Sequence, residues 1–312
     1  MEKQDQQQEH SGNSLRVRDI PYLLWLFTVS DFTTFILPCT AFGIFGALAG
    51  SSLTSQNHPD LKMTLLRLPL VVLFNWATTL IFCLANQRSP ESVLEDLANK
   101  PGRPIPSGRI TSDQTRRMLL ISVPLVLALG FVLGVWEETA LIFVLTWLCN
   151  DLKGGDEVIR DLIISVAYAF YNFGSLRIAV GIDTEITRQG YIWTGLISGV
   201  ILTTMQIQDL KDQAGDKMRG RKSIPLFFGE TFSRWWIAAS VLFWSPVCVY
   251  FWGLHLFAYV VPIIMGGVVA AQVLWRRSPE DDANAWRLWS IWTTVLYFLP
   301  VVYCSTVSVI RS

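Results

Sequence analysis

The sequence predicts an all-α, polytopic membrane protein with nine transmembrane helices, and three observations predict it. First, 51% of the 312 residues are hydrophobic, only 16% are charged, and the mean hydropathy is +0.39. Second, apolar stretches approaching the roughly 20 residues needed to cross a bilayer as a helix recur along the chain. Third, basic residues collect in alternate connections between those stretches. The 25 basic and 25 acidic residues balance, so no overall field attracts nucleic acid, and none is expected as a partner.

The elements follow in chain order. Residues 1–19, MEKQDQQQEHSGNSLRVRD, read as a disordered polar tail ahead of a single domain at 20–312. They lack the apolar core and small-residue cleavage site of a signal peptide. Glu2, Asp5, Glu9 and Asp19 argue against a mitochondrial presequence, which leaves the endoplasmic reticulum as the expected membrane in a eukaryotic host. Segment 20–31, with Pro21 and Trp25, reads as lying along the interface. Spans are then expected at about 32–53, 66–86, 118–136, 138–150, 160–181, 190–208, 233–252, 255–275 and 286–309. Lys3, Arg16, Arg18, the group from Arg88 to Arg117, Lys153, Arg160, the group from Lys211 to Arg234, and Arg276, Arg277 and Arg287 fall on one side, and Arg67 and Arg177 fall inside spans. Only Lys62, Arg188 and Arg311 fall on the other, which puts the amino terminus in the cytosol. The five cysteines, Cys39, Cys83, Cys149, Cys248 and Cys304, lie in apolar stretches with no CxxC spacing and read as core fillers.

The long polar loops follow the second, fourth and sixth spans, all on the cytosolic side, so function is expected there. The loop after the sixth holds Asp209, Asp212 and Asp216, whose spacing of three and four places the carboxylates on one helical face. Like charges this close repel unless something positive lies between them. Carboxylate oxygens suit Mg²⁺, which shares its shell with phosphates, and Lys217, Arg219, Arg221 and Lys222 suit a diphosphate. The alternative is a solvated helix end, whose acids oppose the macrodipole. The loop after the second span holds Asn86, Glu91, Glu95 and Asp96, with Pro90 able to open a short helix. A stiff basic connector, NKPGRPIPSGR, follows with Arg103 and Arg109, and Thr111 with Gln114 forms a capping box. The loop after the fourth, NDLKGGDEVIRD, is either a turn with solvated charges or a place where Lys153 reaches a phosphate. Tyr168 and Asn172 are polar groups at membrane depth, where they either line a cavity or join helices.

Together these residues resemble the UbiA superfamily of intramembrane prenyltransferases. Asp209, Asp212, Gly215, Asp216, Arg221, Pro225 and Gly229 match its second aspartate motif. Asn99, Pro101, Arg103, Pro104, Ile105, Ser107, Gly108 and Arg109 match the signature that follows its first. That first motif departs from the usual NDxxDxxxD: Ser92 stands where an aspartate belongs, and Asn86 is two positions early. The variant is similar to the fungal membrane-bound sesquiterpene cyclases of the fumagillin-pathway type. The resemblance implies nine helices around a cavity open to the cytosolic face. It also implies Mg²⁺ held by Asp96, Asp209, Asp212 and Asp216, with Glu91 or Glu95 replacing the missing aspartate. Asn86, Arg103, Arg109, Lys153, Arg221, Lys222, Tyr168 and Asn172 would bind the substrate. The implied chemistry is ionisation of a prenyl diphosphate, farnesyl diphosphate by resemblance, followed by cyclisation. An aromatic acceptor would make the same activation a prenyl transfer. A transporter is a third class, but the acidic clusters sit at helix ends and no internal repeat is evident. The sequence carries no signal of oligomeric state.

Overall fold

A computed structural model describes residues 17–311, so most of the tail expected at 1–19 lies outside the described residues. The chain is helical throughout. Among the described residues the sole β feature is an isolated bridge between Thr54 and Ile186.

Helix α1 (Ile20–Asp31) does not end at an interface. It continues through a π-helical turn, Phe32–Ile36, into α2 (Leu37–Leu48), giving one helical stretch of 29 residues. The segment expected to lie flat is therefore the first 12 residues of a 29-residue stretch that is long and apolar enough to cross a membrane. No Gly or Pro occurs between Pro21 and Leu37, so the chain absorbs its misfit by widening one turn rather than breaking. Helix α3 (Leu61–Gln87) opens on Asp60, whose carboxylate accepts the Met63 amide at 3.0 Å. Helix α4 (Pro90–Asn99) opens on Ser89 with proline in its first turn, and α5 (Ser112–Val132) on the expected Thr111–Gln114 capping box. Helices α6 (Trp136–Asn150), α7 (Arg160–Val180) and α8 (Arg188–Thr204) follow. Short α9 (Gln213–Arg219) and α10 (Ile224–Phe227) lead to α11 (Glu230–Phe251), α12 (Phe257–Trp275) and α13 (Pro279–Arg311).

The long helices pack in sequence, each against the next: α2, α3, α5, α6, α7, α8, α11, α12, α13. The last returns to α2 and closes the ring. Helix α7 also reaches across to α2 and α3. Gly43 permits that crossing, because a Cβ there would stand 2.6 Å from the Ser175 backbone. Asn75 of α3 pins the junction by donating to Thr40 of α2 at 3.1 Å and Ser175 of α7 at 2.9 Å. Leu120, Ile121, Leu125, Phe131, Ile263 and Ile264 point outward, as lipid-facing side chains do.

Seven of the described helical stretches are long and apolar enough to cross a membrane. The expected spans at 138–150 and 233–252 form α6 and α11 but fall outside that set. Helix α6 has only 15 residues. In α11 the apolar run is diluted by Arg234, Trp235, Trp236, Ser240, Ser245 and Pro246.

Candidate active site

The acidic segment after α8 is not one helical face. Helix α8 ends at Thr204, and Met205–Asp209 tightens into a 3₁₀ helix before α9 begins at Gln213. Asp209, Asp212 and Asp216 therefore sit on three successive pieces of backbone. They are gathered by packing, because α9 lies against α4 and carries the second acidic segment onto the first. Asn99, the last residue of α4, is the brace. Its amide donates to the Asp212 carbonyl at 2.9 Å, and its Oδ1 accepts the Gly215 amide at 3.0 Å. Only glycine fits there, since a Cβ at 215 would lie 2.3 Å from the Asn99 Nδ2.

Each carboxylate is met by a cation. Arg103 donates to both oxygens of Asp96 at 2.8 and 2.9 Å, and Arg160 to both oxygens of Asp209 at 2.7 Å. Glu95 accepts from Arg219 and Arg221, each at 3.0 Å, while Arg221 reaches Asp216 at 3.2 Å. Asp156 pairs with Arg219 at 2.8 Å and Arg221 at 3.3 Å. Burial opposes ionisation of Asp212, but Lys100 and Lys211 hold its carboxyl down at about 2. For Asp216, burial and then the neighbouring Asp209 charge push the carboxyl up, against the pull of Arg221. Burial likewise outweighs Arg103 at Asp96 and raises it.

Several of these groups line a cavity of about 1080 Å³, a volume that includes its open end. Glu95, Lys100, Arg103, Arg160, Asp209, Asp212 and Arg221 line one part of the cavity. Phe35, Phe82, Ile142, Leu145, Ile164 and Tyr171 are among the apolar and aromatic residues that line it too. Asn86 also lines it, with its amide donating to Asn150 at 2.9 Å. Of the residues expected at the site, Asp96 and Asp216 stand just behind this lining, buried against Arg103 and Arg221. Four others lie elsewhere. Glu91 and Lys153 pair with each other at 3.0 Å on the exposed side, and Lys222 pairs with Glu157 at 2.8 Å. Arg109 folds back onto the Gly102 carbonyl and Ser107. Tyr168 and Asn172 are buried deeper, Tyr168 behind Phe35 with ring centroids 4.6 Å apart.

Sequence reasoning favoured Lys153 in its loop, but Arg160 is the basic residue that reaches the cavity. Its position as the first residue of an apolar helix was the available signal. Asp156 and Asp31 were also missed. Asp31 lines the cavity from within the first long helical stretch.

The donor set suits Mg²⁺, being all carboxylate oxygen, and the Oδ2 of Asp216 is buried with no partner among the described groups. Among the described residues, however, no three acidic, histidine or cysteine side chains converge as ligands. Arg160 holds Asp209, Arg221 holds Asp216, and Lys100 and Lys211 hold Asp212, so these acids would take an ion only once those cations shift.

Residues 43–292 match the family model described as the UbiA prenyltransferase family. The chain belongs to that family. Its curated relatives include the somaliensene A/B synthase of Streptomyces somaliensis, 29% identical over 88% of this chain and 90% of the relative. The fumagillin beta-trans-bergamotene synthase of Aspergillus fumigatus is 28% identical over 73% of this chain and 74% of its own. A UbiA homologue from Archaeoglobus fulgidus, solved bound to GPP and Mg²⁺, superimposes with a TM-score of 0.62. It shares 14% identity and covers 91% of this chain and 99% of its own. At that identity the likeness establishes the fold. Membership places the chain among membrane enzymes acting on prenyl diphosphates, a family containing both terpene cyclases and prenyltransferases.

Proposed function

We propose that this protein is a Mg²⁺-dependent membrane terpene cyclase. It would ionise a prenyl diphosphate, farnesyl diphosphate in the first instance, and close the chain to a sesquiterpene with release of pyrophosphate. One observation carries the reading: carboxylates and guanidinium groups line the same cavity as aromatic and aliphatic side chains. Such a cavity fits an anionic head on an apolar tail. In this reading α6 and α11 also cross the bilayer, giving nine spans, and the charged rim faces the cytosol with the amino terminus. The basic connections collect on that side, which supports the orientation. The endoplasmic reticulum is the membrane proposed for a eukaryotic host.

The chain's own residues divide the work. Arg160, Arg221 and Lys100 would exchange their carboxylates for phosphate oxygens, making charge-assisted bonds stronger than neutral ones. Asp209, Asp212 and Asp216, relieved of those cations, would hold Mg²⁺, whose charge when bound opposes that building on the departing pyrophosphate. Ile142, Leu145 and Ile164 would exclude water from the allylic cation. The rings of Phe35 and Tyr171 stand at 4.7 Å and 89°, presenting a π surface to the interior. Each ring face would contribute about 0.5–2 kcal/mol to holding a cation.

Transfer of the prenyl group to an acceptor is the second reading, favoured by the family as a whole being described as prenyltransferases. The test is incubation of microsomes with farnesyl diphosphate and Mg²⁺, without acceptor, followed by gas chromatography–mass spectrometry of a hexane extract. A hydrocarbon that requires Mg²⁺ and is lost in Asp212→Ala supports the cyclase. Product formed only when aromatic acceptors are supplied supports transfer instead.

A further inference from the structure

Asp31 lies between the two ends of the helical stretch Ile20–Leu48, eleven residues from its start and seventeen from its finish. At a rise of about 1.5 Å per residue, it sits roughly 16 Å in from the start of the stretch. An ionisable side chain at such a place is costly unless it serves a cavity or a partner. Among the described residues Asp31 has no ion-pair partner within salt-bridge distance, although its charge acts on Arg103, which is committed to Asp96. It lines the cavity. Its two donors, the Ser30 hydroxyl at 2.9 Å and the Cys83 thiol at 3.5 Å, both engage Oδ2, and Oδ1 accepts no hydrogen bond.

The backbone explains how this side chain reaches the cavity with an aromatic beside it. The π-helical turn begins immediately after Asp31 and contains Phe35. Both residues line the cavity, and Phe35 is held edge-on by Tyr168 at 4.6 Å and Tyr171 at 4.7 Å. A carboxylate oxygen without a donor among the described residues and a ring held by two tyrosines thus line the same cavity. Wide turns of this kind are frequent at functional sites. No other carboxylate of the cavity lining combines these features: Glu95, Asp209 and Asp212 each hold a cation within 3.4 Å.

The geometry points to Asp31 as the catalytic base that ends the cyclisation, an assignment that rests on the cyclase reading. The C–H bond adjacent to the final cationic carbon breaks. Its electron pair becomes the new C=C bond, and the proton passes to Asp31 Oδ1. The neutral acid then releases that proton to the pyrophosphate before the next turnover. Ionisation and deprotonation are thereby given to separate carboxylates, the rim acids for the first and Asp31 for the second.

The experiment compares wild type, Asp31→Asn and Asp31→Glu in microsomes with farnesyl diphosphate and Mg²⁺. Pyrophosphate release and hydrocarbon yield are measured on the same samples, and thermal unfolding in detergent reports folding. The expected result for Asp31→Asn is pyrophosphate release within about threefold of wild type. The wild-type hydrocarbon should fall by on the order of 100-fold, replaced by acyclic alcohols or different olefins, with partial recovery in Asp31→Glu. Should Asp31→Asn fail to fold, Asp31→Glu still decides, because a retained but displaced carboxylate must alter the product ratio. An unchanged product profile in a folded variant overturns the assignment, and so does equal loss of pyrophosphate release, which would place Asp31 in ionisation. Failure of the wild type itself to make any hydrocarbon overturns the cyclase reading and this assignment together.

Discussion

Replacing Gly215 by alanine tests whether the Asn99 brace sets the geometry of the acidic rim. The new Cβ would stand 2.3 Å from Asn99 Nδ2, 2.6 Å from its Cγ and 2.8 Å from Oδ1, so the amide must leave. Its departure removes two hydrogen bonds, to the Asp212 carbonyl and from the Gly215 amide. Two such bonds contribute about 1–3 kcal/mol together, and the residual overpacking costs about 1–3 kcal/mol more. Asn99→Ala alone loses only the hydrogen bonds. The double variant has no amide to collide with, so it should resemble Asn99→Ala rather than the sum of the two. The interaction term is then the whole cost of Gly215→Ala, about 2–6 kcal/mol in magnitude, well above what independent sites show. The assay is a four-member cycle read by apparent unfolding temperature in detergent and by kcat/KM for diphosphate consumption. Turnover in Gly215→Ala should drop by on the order of 100-fold, because Asp212 loses its position by an ångström or so. Additive losses in the double variant, or wild-type behaviour of Gly215→Ala, would refute the brace.

Other outcomes follow from the same charge map. Asp209→Ala, Asp212→Ala and Asp216→Ala should each lower turnover by on the order of 100-fold or more while leaving membrane insertion intact, as checked by microsomal fractionation and pyrophosphate release. Arg234 is buried and donates to both oxygens of Asp282 at 2.8 Å, joining α11 to α13 outside the cavity lining. Arg234→Ala should therefore cost about 3–5 kcal/mol in stability, seen as a lower unfolding temperature, without changing the products. Ser92 is buried and accepts from Arg219 at 2.5 Å, beside the Arg219–Glu95 pair. Ser92→Asp restores the usual family residue but competes with Glu95 for the same guanidinium, so turnover should not rise above wild type.

Much of the helix layout was legible in the sequence because hydropathy and capping chemistry act locally. The Thr111–Gln114 box, the Pro90 start and the apolar runs of α3, α7 and α12 each depend on residues a few positions apart. Segment 20–31 was misjudged because a π-helical turn leaves no compositional mark. Pro21 and Trp25 at a helix start look the same whether the chain then turns along the interface or continues inward. The acidic segment was read as one face of a continuing helix, on a spacing of three and four. The observed break at Thr204 follows from packing: Met205, Ile207 and Leu210 are all buried, which alternating burial on a single α-helical face would not allow.

The partner of each acid was the least legible feature. Arg160 lies 49 residues from Asp209, Arg219 lies 124 from Glu95 and Asn99 lies 116 from Gly215. Sequence spacing informs none of these, because each pair joins elements far apart in the chain: α7 with the turn after α8, and α4 with α9. The pairings nevertheless answer the repulsion that the three aspartates raise. In the folded chain the positive charge between them comes from its own arginines and lysines, not from solvent. Buried ion pairs are costly to separate, so substrate binding must offer each released cation an equally dense anion. A diphosphate does so and a neutral prenyl alcohol does not. On the proposed reading, that difference would make the rim a selector for the activated substrate as well as the place where it ionises.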